Sequence, residues 1–161
     1  MPPDLEIFAL AKLVGERLVT LRKSIAVAES CTGGLLGAAL TDVPGSSAYF
    51  LGGVISYADQ VKRDQLGVSE ATLRRYGAVS EQTAAAMASG VRQLLHADVG
   101  VSITGVAGPD AEGSKPVGLT FIGIAAAVSM THRFQWTGDR WDNRRRSVIA
   151  ALELLVRAPE L

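Results

Sequence analysis

The first half of the chain alternates between helical and strand patterns, and this alternation restricts the fold more than any other feature. Apolar residues at helical spacing predict a first helix from about Asp4, a plausible N-cap, to about Leu21. Residues 24–28 then predict a short buried strand, and Gly33-Gly34 opens a second helix through about Leu40. Strands that alternate with helices are typical of a sheet with helices on its faces.

The rest of the chain extends this pattern and ends with two adjacent strands. The remaining strands are predicted near residues 53–57, 99–104, 119–126 and 131–136. The remaining helices are predicted over 60–66 with Asp59 as N-cap, from Ser69, from Ser80, and from about Asp142 to Arg157. The two adjacent strands favour an antiparallel pair. We therefore predict a single three-layer α/β/α domain over residues 1–161, built around a mixed sheet.

Composition excludes several classes of function. The chain has 161 residues, of which 48% are apolar, which is typical of an ordered domain with a real core. Its formal net charge is zero, so we expect no nucleic-acid partner. The single cysteine, Cys31, suits a reducing cytoplasm. No apolar run approaches the roughly 20 residues of a membrane span. The segment Met1–Glu6 lacks the basic region of a signal peptide, so we expect a cytoplasmic protein without membrane contact.

The turn between the first strand and the second helix combines hydroxyl groups with two glycines. Backbone N–H groups at a helix start suit phosphate binding, so its residues are candidate substrate contacts: Ser30, Cys31, Thr32, Gly33 and Gly34. The alternative is a tight turn in which glycine supplies conformational freedom. Cys31 could be a nucleophile, but no histidine lies nearby in sequence, and a small packed residue is the better interpretation.

A Gly45-Ser46-Ser47 turn, followed by Tyr57 and Lys62, brings hydroxyls and an amine into one short stretch. A neutral lysine can take the proton of a serine nucleophile, with a tyrosine placed to relay it. The start of a helix and partial burial would both lower the pKa of Lys62 toward useful basicity. Spacing alone favours the alternative, in which the serines cap a helix, Tyr57 packs and Lys62 is a solvated charge.

Two later segments add polar groups. Thr104 and Gly105 lead from a strand into a Gly/Pro-rich loop that ends at Gly118, and an ordered loop of this length is more often functional. Arg140 and Arg144 stand near the start of the last helix, where arginines suit phosphate or carboxylate binding. The alternative is a solvated basic face. No metal-ligand spacing occurs, and we expect neither a metal nor an organic cofactor.

Together these motifs resemble the CinA C-terminal domain family, the nicotinamide-nucleotide amidases. The resemblance covers nearly the whole chain, and its motifs occur in order: 28–34, 44–47, Tyr57 with Lys62, 77–80, 104–109, 115–118 and 138–140. It implies an enzyme of pyridine-nucleotide salvage that hydrolyses nicotinamide mononucleotide to nicotinate mononucleotide and ammonia. The chain resembles the stand-alone form of the family, without the additional N-terminal domain of larger members.

The resemblance also implies roles for residues. Ser47 looks like the nucleophile, Lys62 the general base and Tyr57 their helper, and Thr104 looks like a substrate contact. Backbone N–H groups of the turn that contains Gly45 and Ser46 are candidates for holding the oxyanion. Either Arg140 or Arg144 resembles the phosphate-side arginine.

Two other functions stay open at this point: a nucleotide-binding regulatory module without turnover, and an amidase for another small amide. Slow hydrolysis with tight binding would favour the module. Retained activity on a free amide lacking phosphate would favour the other amidase. Families of this kind often build sites near subunit contacts, which leaves a homo-oligomer open.

Overall fold

A five-stranded mixed sheet organises the chain in the computed structural model, which describes residues 4–161. The strands are β1 (Ile25–Glu29), β2 (Phe50–Ile55), β3 (Val99–Gly105), β4 (Leu119–Ala125) and β5 (Met130–Gln135), in the order β2-β1-β3-β4-β5. β1 pairs in parallel with both β2 and β3, whereas β4 is antiparallel to β3 and β5. The predicted mixed sheet and the antiparallel pair are both confirmed.

Six α-helices surround the sheet in this part of the chain: α1 (Leu5–Leu21), α2 (Leu35–Thr41), α3 (Asp59–Leu66), α4 (Glu70–Tyr76), α5 (Glu81–Leu94) and α6 (Arg140–Arg157). Asp4, Ser69 and Ser80 cap α1, α4 and α5 as predicted, because each side chain accepts a hydrogen bond from the first turn of its helix. No helix within residues 4–161 is both long and apolar enough to cross a membrane. The prediction of no signal peptide rests partly on residues 1–3, which lie outside the described residues.

The alternation of side chains along β1 separates two apolar layers. Ile25 and Val27 pack in the cluster that contains the buried faces of α1, α2 and α6. Ala26 and Ala28 pack on the opposite side with residues of α3 and α5. Gly100 of β3 lets α5 approach closely, since a Cβ there would overlap the Ala88 carbonyl. The three-layer α/β/α arrangement is therefore confirmed.

Three boundaries differ from the sequence prediction. β2 begins at Phe50, and Tyr57 lies beyond its end rather than within it. Ala58 is the N-cap of α3 and Asp59 is its first residue, so Asp59 is not the predicted N-cap. α6 begins at Arg140 with Asp139 as its N-cap.

The parallel strands set the place of the site. β1, β2 and β3 run in one direction, so their carboxyl ends meet at one edge of the sheet. The connections that leave this edge begin at Ser30, Ser56 and Val106. Ligands in open α/β sheets bind outside the carboxyl ends of such strands.

Candidate active site

A cleft lies at the carboxyl edge of the parallel strands. Its volume is about 630 Å³ when the open mouth is included. Of the residues marked out in the sequence, Ser30, Cys31, Tyr57, Lys62, Thr104, Gly105 and Arg140 line it. These seven residues come from four separate segments of the chain.

Lys62 is the most unusual residue of the cleft because its long cationic side chain is only 1% exposed. Its Nζ donates hydrogen bonds to the backbone carbonyls of Ser56, at 2.8 Å, and Tyr57, at 3.1 Å. The Ser30 Oγ lies 3.3 Å from the same Nζ. Burial lowers the pKa of Lys62, and the Asp59 carboxylate 3.7 Å away partly opposes that effect.

These contacts fix the direction of the Lys62 lone pair when the amine is neutral. A neutral amine has two N–H donors and one acceptor, whereas a carbonyl oxygen can only accept. The two N–H groups therefore point to Ser56 O and Tyr57 O, and the lone pair is left to Ser30 Oγ–H. The arrangement suits removal of a proton from Ser30.

The structure corrects the position of the expected nucleophile. Ser47 lies in a 3₁₀ turn, Ser46–Ala48, that leads into the amino end of β2. Lys62 follows the carboxyl end of the same strand, and the six residues of β2 span roughly 20 Å at about 3.3 Å per residue. Ser47 is exposed and does not line the cleft. Gly45 and Ser46 lie at the same end of β2 and do not line the cleft, so their N–H groups are not placed to hold an oxyanion there.

The contact between Tyr57 and Lys62 differs from the predicted relay through the tyrosine hydroxyl. The backbone carbonyl of Tyr57, not its phenol, accepts the hydrogen bond from Lys62. The side chain is largely exposed at the mouth of the cleft, where its hydroxyl accepts a hydrogen bond from Arg140 Nη2 at 3.1 Å. The geometry therefore gives no direct proton path from Ser30 through the Tyr57 hydroxyl to Lys62.

The N–H groups at the start of α2 are already occupied. The buried Glu29 carboxylate accepts hydrogen bonds from the backbone N–H groups of Gly34, Leu36 and Gly37, at 3.2, 3.1 and 2.8 Å. An internal anion thus occupies the place that the sequence suggested for a phosphate. Gly33 and Gly34 have positive φ angles of 61° and 101°, which favours the alternative interpretation as a tight turn. Neither glycine lines the cleft.

The two candidate arginines have different positions. Arg144 donates from Nε to the Cys31 carbonyl, at 3.1 Å, and from Nη2 to the Thr32 carbonyl, at 2.9 Å. Arg144 therefore holds the backbone of the turn that carries Ser30, and it does not line the cleft. Arg140 lines the mouth and donates to the Gly108 carbonyl as well as to Tyr57.

Cys31 and Thr32 are buried neighbours of Ser30. Burial raises the pKa of the Cys31 thiol to about 12, so the thiol is neutral at physiological pH. Thr32 is fully buried, its hydroxyl has no hydrogen-bond partner within residues 4–161, and it does not line the cleft. Cys31 does line it and adds a neutral sulfur to the wall.

Thr104 and Gly105 form the floor from the end of β3. The buried Thr104 hydroxyl donates to the Ala78 carbonyl at 2.8 Å, which anchors the segment before α5 against the cleft. Gly105 allows close pairing with β4, since a Cβ would lie 2.7 Å from Thr120 Oγ1. The Thr104 hydroxyl is thus engaged with the backbone rather than directed freely at a ligand.

Sequence reasoning missed three features in or beside the cleft. It predicted that Ser30 contacts the substrate and did not predict that Ser30 lies beside Lys62. It assigned no role to Glu29. It also placed no acidic residue in the site, whereas Asp59, Asp110 and Glu112 line the cleft. A charged residue at the end of an all-buried strand was the available signal for Glu29. The described residues contain no group of three His, Cys, Asp or Glu side chains suited to a metal ion.

Comparisons with known proteins agree with this architecture. A sequence profile described as the CinA C-terminal domain matches residues 7–158. A CinA-like protein of Frankia casuarinae is 51% identical over 141 residues, covering 87% of this chain and 33% of its own length. A CinA-like protein of Chlorobium limicola is 51% identical over 150 residues, covering 89% and 35%. The chain thus spans about a third of the length of these curated relatives.

Solved structures match the chain over nearly its whole length. The competence/damage inducible protein CihA from Agrobacterium tumefaciens has a TM-score of 0.92 and 38% identity, with 97% of this chain and 96% of that one covered. A competence-damaged protein (CinA) superfamily protein from Escherichia coli has a TM-score of 0.91 and 33% identity, with 97% and 92% covered.

Proposed function

The chain belongs to the CinA C-terminal domain family, and from that premise we propose that it hydrolyses the carboxamide of nicotinamide mononucleotide. The observation that carries this proposal is the contact between Ser30 Oγ and the buried Lys62 Nζ, whose two other partners are carbonyl oxygens. A serine beside an amine held in this way is the arrangement of a Ser-Lys amidohydrolase.

Ser30 and Lys62 carry the chemistry in this mechanism. Neutral Lys62 takes the hydroxyl proton as Ser30 Oγ attacks the amide carbon. The tetrahedral intermediate then loses its C–N bond, and the ammonium form of Lys62 returns the proton so that ammonia leaves. Water attacks the resulting Ser30 ester with Lys62 again as base, which releases nicotinate mononucleotide and restores the serine.

The turn after β1 positions the nucleophile and supplies the candidate donor for the oxyanion. The backbone N–H of Cys31 directly follows Ser30, the position that often serves this purpose in strand-to-helix nucleophile turns. Such a donor contributes about 3 kcal/mol of transition-state stabilisation. Arg144 and Glu29 hold the two ends of this turn through the hydrogen bonds described above.

Arg140 is the arginine we assign to the phosphate. It lies at the mouth of the cleft, on the exposed side of Tyr57, where the phosphate end of a substrate would face solvent. A guanidinium has five N–H donors, so Arg140 can bind phosphate oxygens while it keeps a contact to Gly108. No organic cofactor enters this chemistry.

Ammonia release from nicotinamide mononucleotide by the purified protein tests the proposal. We expect wild type and Ser47→Ala to release ammonia, and Ser30→Ala and Lys62→Ala to lose release by about 10³-fold or more. Ser47 is the matched control because it is exposed and lies at the other end of β2. Binding without release by wild type would support the regulatory module, and release that survives Ser30→Ala would remove Ser30 as nucleophile.

A further inference from the structure

Three carboxylates share the cleft with the reacting groups. Asp59, Asp110 and Glu112 line it, whereas its cationic side chains are those of Lys62 and Arg140. Arg140 is engaged at the mouth with Gly108 and Tyr57. Carboxylates therefore outnumber cationic side chains in the cleft whenever Lys62 is neutral, which is the state that proton abstraction requires.

Asp59 and Glu112 line the same cleft as Lys62 and come from two different segments of the chain. Asp59 Oδ1 lies 3.7 Å from Lys62 Nζ, which in turn lies 3.3 Å from Ser30 Oγ. Glu112 comes from the loop after β3, where reciprocal backbone hydrogen bonds with Lys115, at 3.0 and 2.9 Å, form a tight turn. Both carboxylates favour the ammonium form of Lys62 and so raise its pKa against the effect of burial.

This placement creates an electrostatic conflict that a substrate can remove. With Lys62 neutral, Arg140 at the mouth is the remaining cationic side chain that lines the cleft, against the carboxylates of Asp59, Asp110 and Glu112. Like charges gathered in one cleft repel each other, and a positive charge that enters relieves this repulsion. In nicotinamide mononucleotide the ring that bears the carboxamide is itself a cation, so the amide that reaches Ser30 brings a positive charge into the cleft.

The inference rests on the proposed function. We propose that Asp59 and Glu112 form a subsite for the positively charged ring of the substrate, and so select a pyridinium amide over an uncharged amide of the same shape. The ring takes the place of the Lys62 ammonium as counter-charge. Its positive charge also repels a proton on Lys62, so that binding of the correct substrate itself favours the neutral base.

Binding to the Ser30→Ala protein tests the subsite without turnover. The probes are nicotinamide mononucleotide and its reduced dihydropyridine form, which carries the same groups on an uncharged ring. Calorimetry should show the pyridinium form binding about ten-fold or more tightly, the scale of one charge pair near a protein surface. Adding Asp59→Asn and Glu112→Gln should bring the two affinities close together. Adding Asp64→Asn instead is the matched control, since Asp64 is an exposed carboxylate of α3 that does not line the cleft.

The outcomes separate this inference from the proposed function. Equal affinities in the Ser30→Ala protein, no measurable binding of either form, or a preference that persists in the Asp59→Asn, Glu112→Gln variant would each overturn the subsite, even if ammonia is released. A retained preference that depends on the two carboxylates, together with no ammonia release by wild type, would refute the amidase and leave the subsite standing. Both carboxylates are exposed enough for these substitutions to leave the fold intact, which circular dichroism checks.

Discussion

The Glu29 carboxylate accepts a hydrogen bond at 2.8 Å from the backbone N–H of Gly37, eight positions later in the chain. Together with the bonds from Gly34 and Leu36, it satisfies the start of α2 from inside the protein. The same turn carries Ser30. A side chain of the sheet thus fixes the helix that follows the candidate nucleophile.

Replacing Glu29 by Gln should destabilise the fold. The amide places an NH₂ group against N–H donors, which leaves buried groups unsatisfied, and we expect a loss of about 1–3 kcal/mol in the free energy of unfolding. Urea unfolding measures the loss. Glu16→Gln is the control, because Glu16 is an exposed residue of α1 whose change should stay within about 0.5 kcal/mol. Equal midpoints for the two variants would show that the carboxylate does not stabilise the turn.

The pH dependence of turnover should follow Lys62. Neutral Lys62 is the active form, so kcat/KM should fall as the pH drops through the pKa of Lys62. Because burial lowers this pKa, the acidic limb of the pH–rate profile should lie below the ordinary lysine range. The Asp59 and Glu112 carboxylates raise this pKa against the effect of burial, whereas the neutral Cys31 thiol carries no charge to do so. Asp59→Asn should therefore move the limb to lower pH, while Asp64→Asn leaves it in place. A shift of the limb to higher pH would contradict this assignment of the base.

Cys31 should be dispensable and slow to react. Because burial raises the pKa of its thiol to about 12, almost none of it is thiolate at pH 7. We expect Cys31→Ala to keep turnover within about ten-fold of wild type, since only a packed wall residue is lost. Labelling of the native protein by iodoacetamide should be much slower at pH 7 than labelling of the urea-unfolded chain. Rapid native labelling at pH 7 would mean that the thiol is more accessible than the structure indicates.

Arg140→Ala should act mainly on KM. The residue stands at the mouth of the cleft, away from Ser30, so it should bind substrate and transition state alike. We expect KM for nicotinamide mononucleotide to rise by about ten-fold or more, the size of a charge-assisted contact, with kcat little changed. Activity on a nicotinamide riboside, which lacks the phosphate, should not change. A fall in kcat alone would argue against the phosphate role.

Arg144→Met should act on kcat instead. The guanidinium holds the carbonyls of Cys31 and Thr32, and loss of both bonds would loosen the turn that aims Ser30. Small misplacements of a reacting group cost about 10²-fold in rate. Arg146→Met is the control, because Arg146 is an exposed residue of the same helix paired with Asp142. If both variants keep wild-type kcat, the hydrogen bonds of Arg144 do not position the nucleophile.

Much of the fold could be predicted from the sequence because it depends on local residue patterns. Apolar spacing and the capping side chains of Asp4, Ser69 and Ser80 are properties of neighbouring residues, and they placed the helices close to their observed positions. The alternation of strands and helices in turn required a sheet covered on both faces. Residue type marked Lys62 and the pair Arg140 and Arg144 as candidates, and the family resemblance supplied the role of Lys62. Of these three residues, Lys62 and Arg140 line the cleft.

The partner of Lys62 was decided by the tertiary structure. Ser47 is the nearer of the two serines in sequence, but β2 separates it from Lys62, whereas Ser30, thirty-two positions from the lysine, is brought to it by the parallel pairing of β1 with β2. In the folded chain Lys62 is buried, Arg144 bonds to the backbone of the turn after β1, and Arg140 lies at the mouth of the cleft. The sequence by itself determined the elements and the chemical groups, because both follow from local residue type. Which of these groups come into contact, and which are buried away from water, depends on the order of the strands. Strand order and burial are established only when distant segments of the chain pack together.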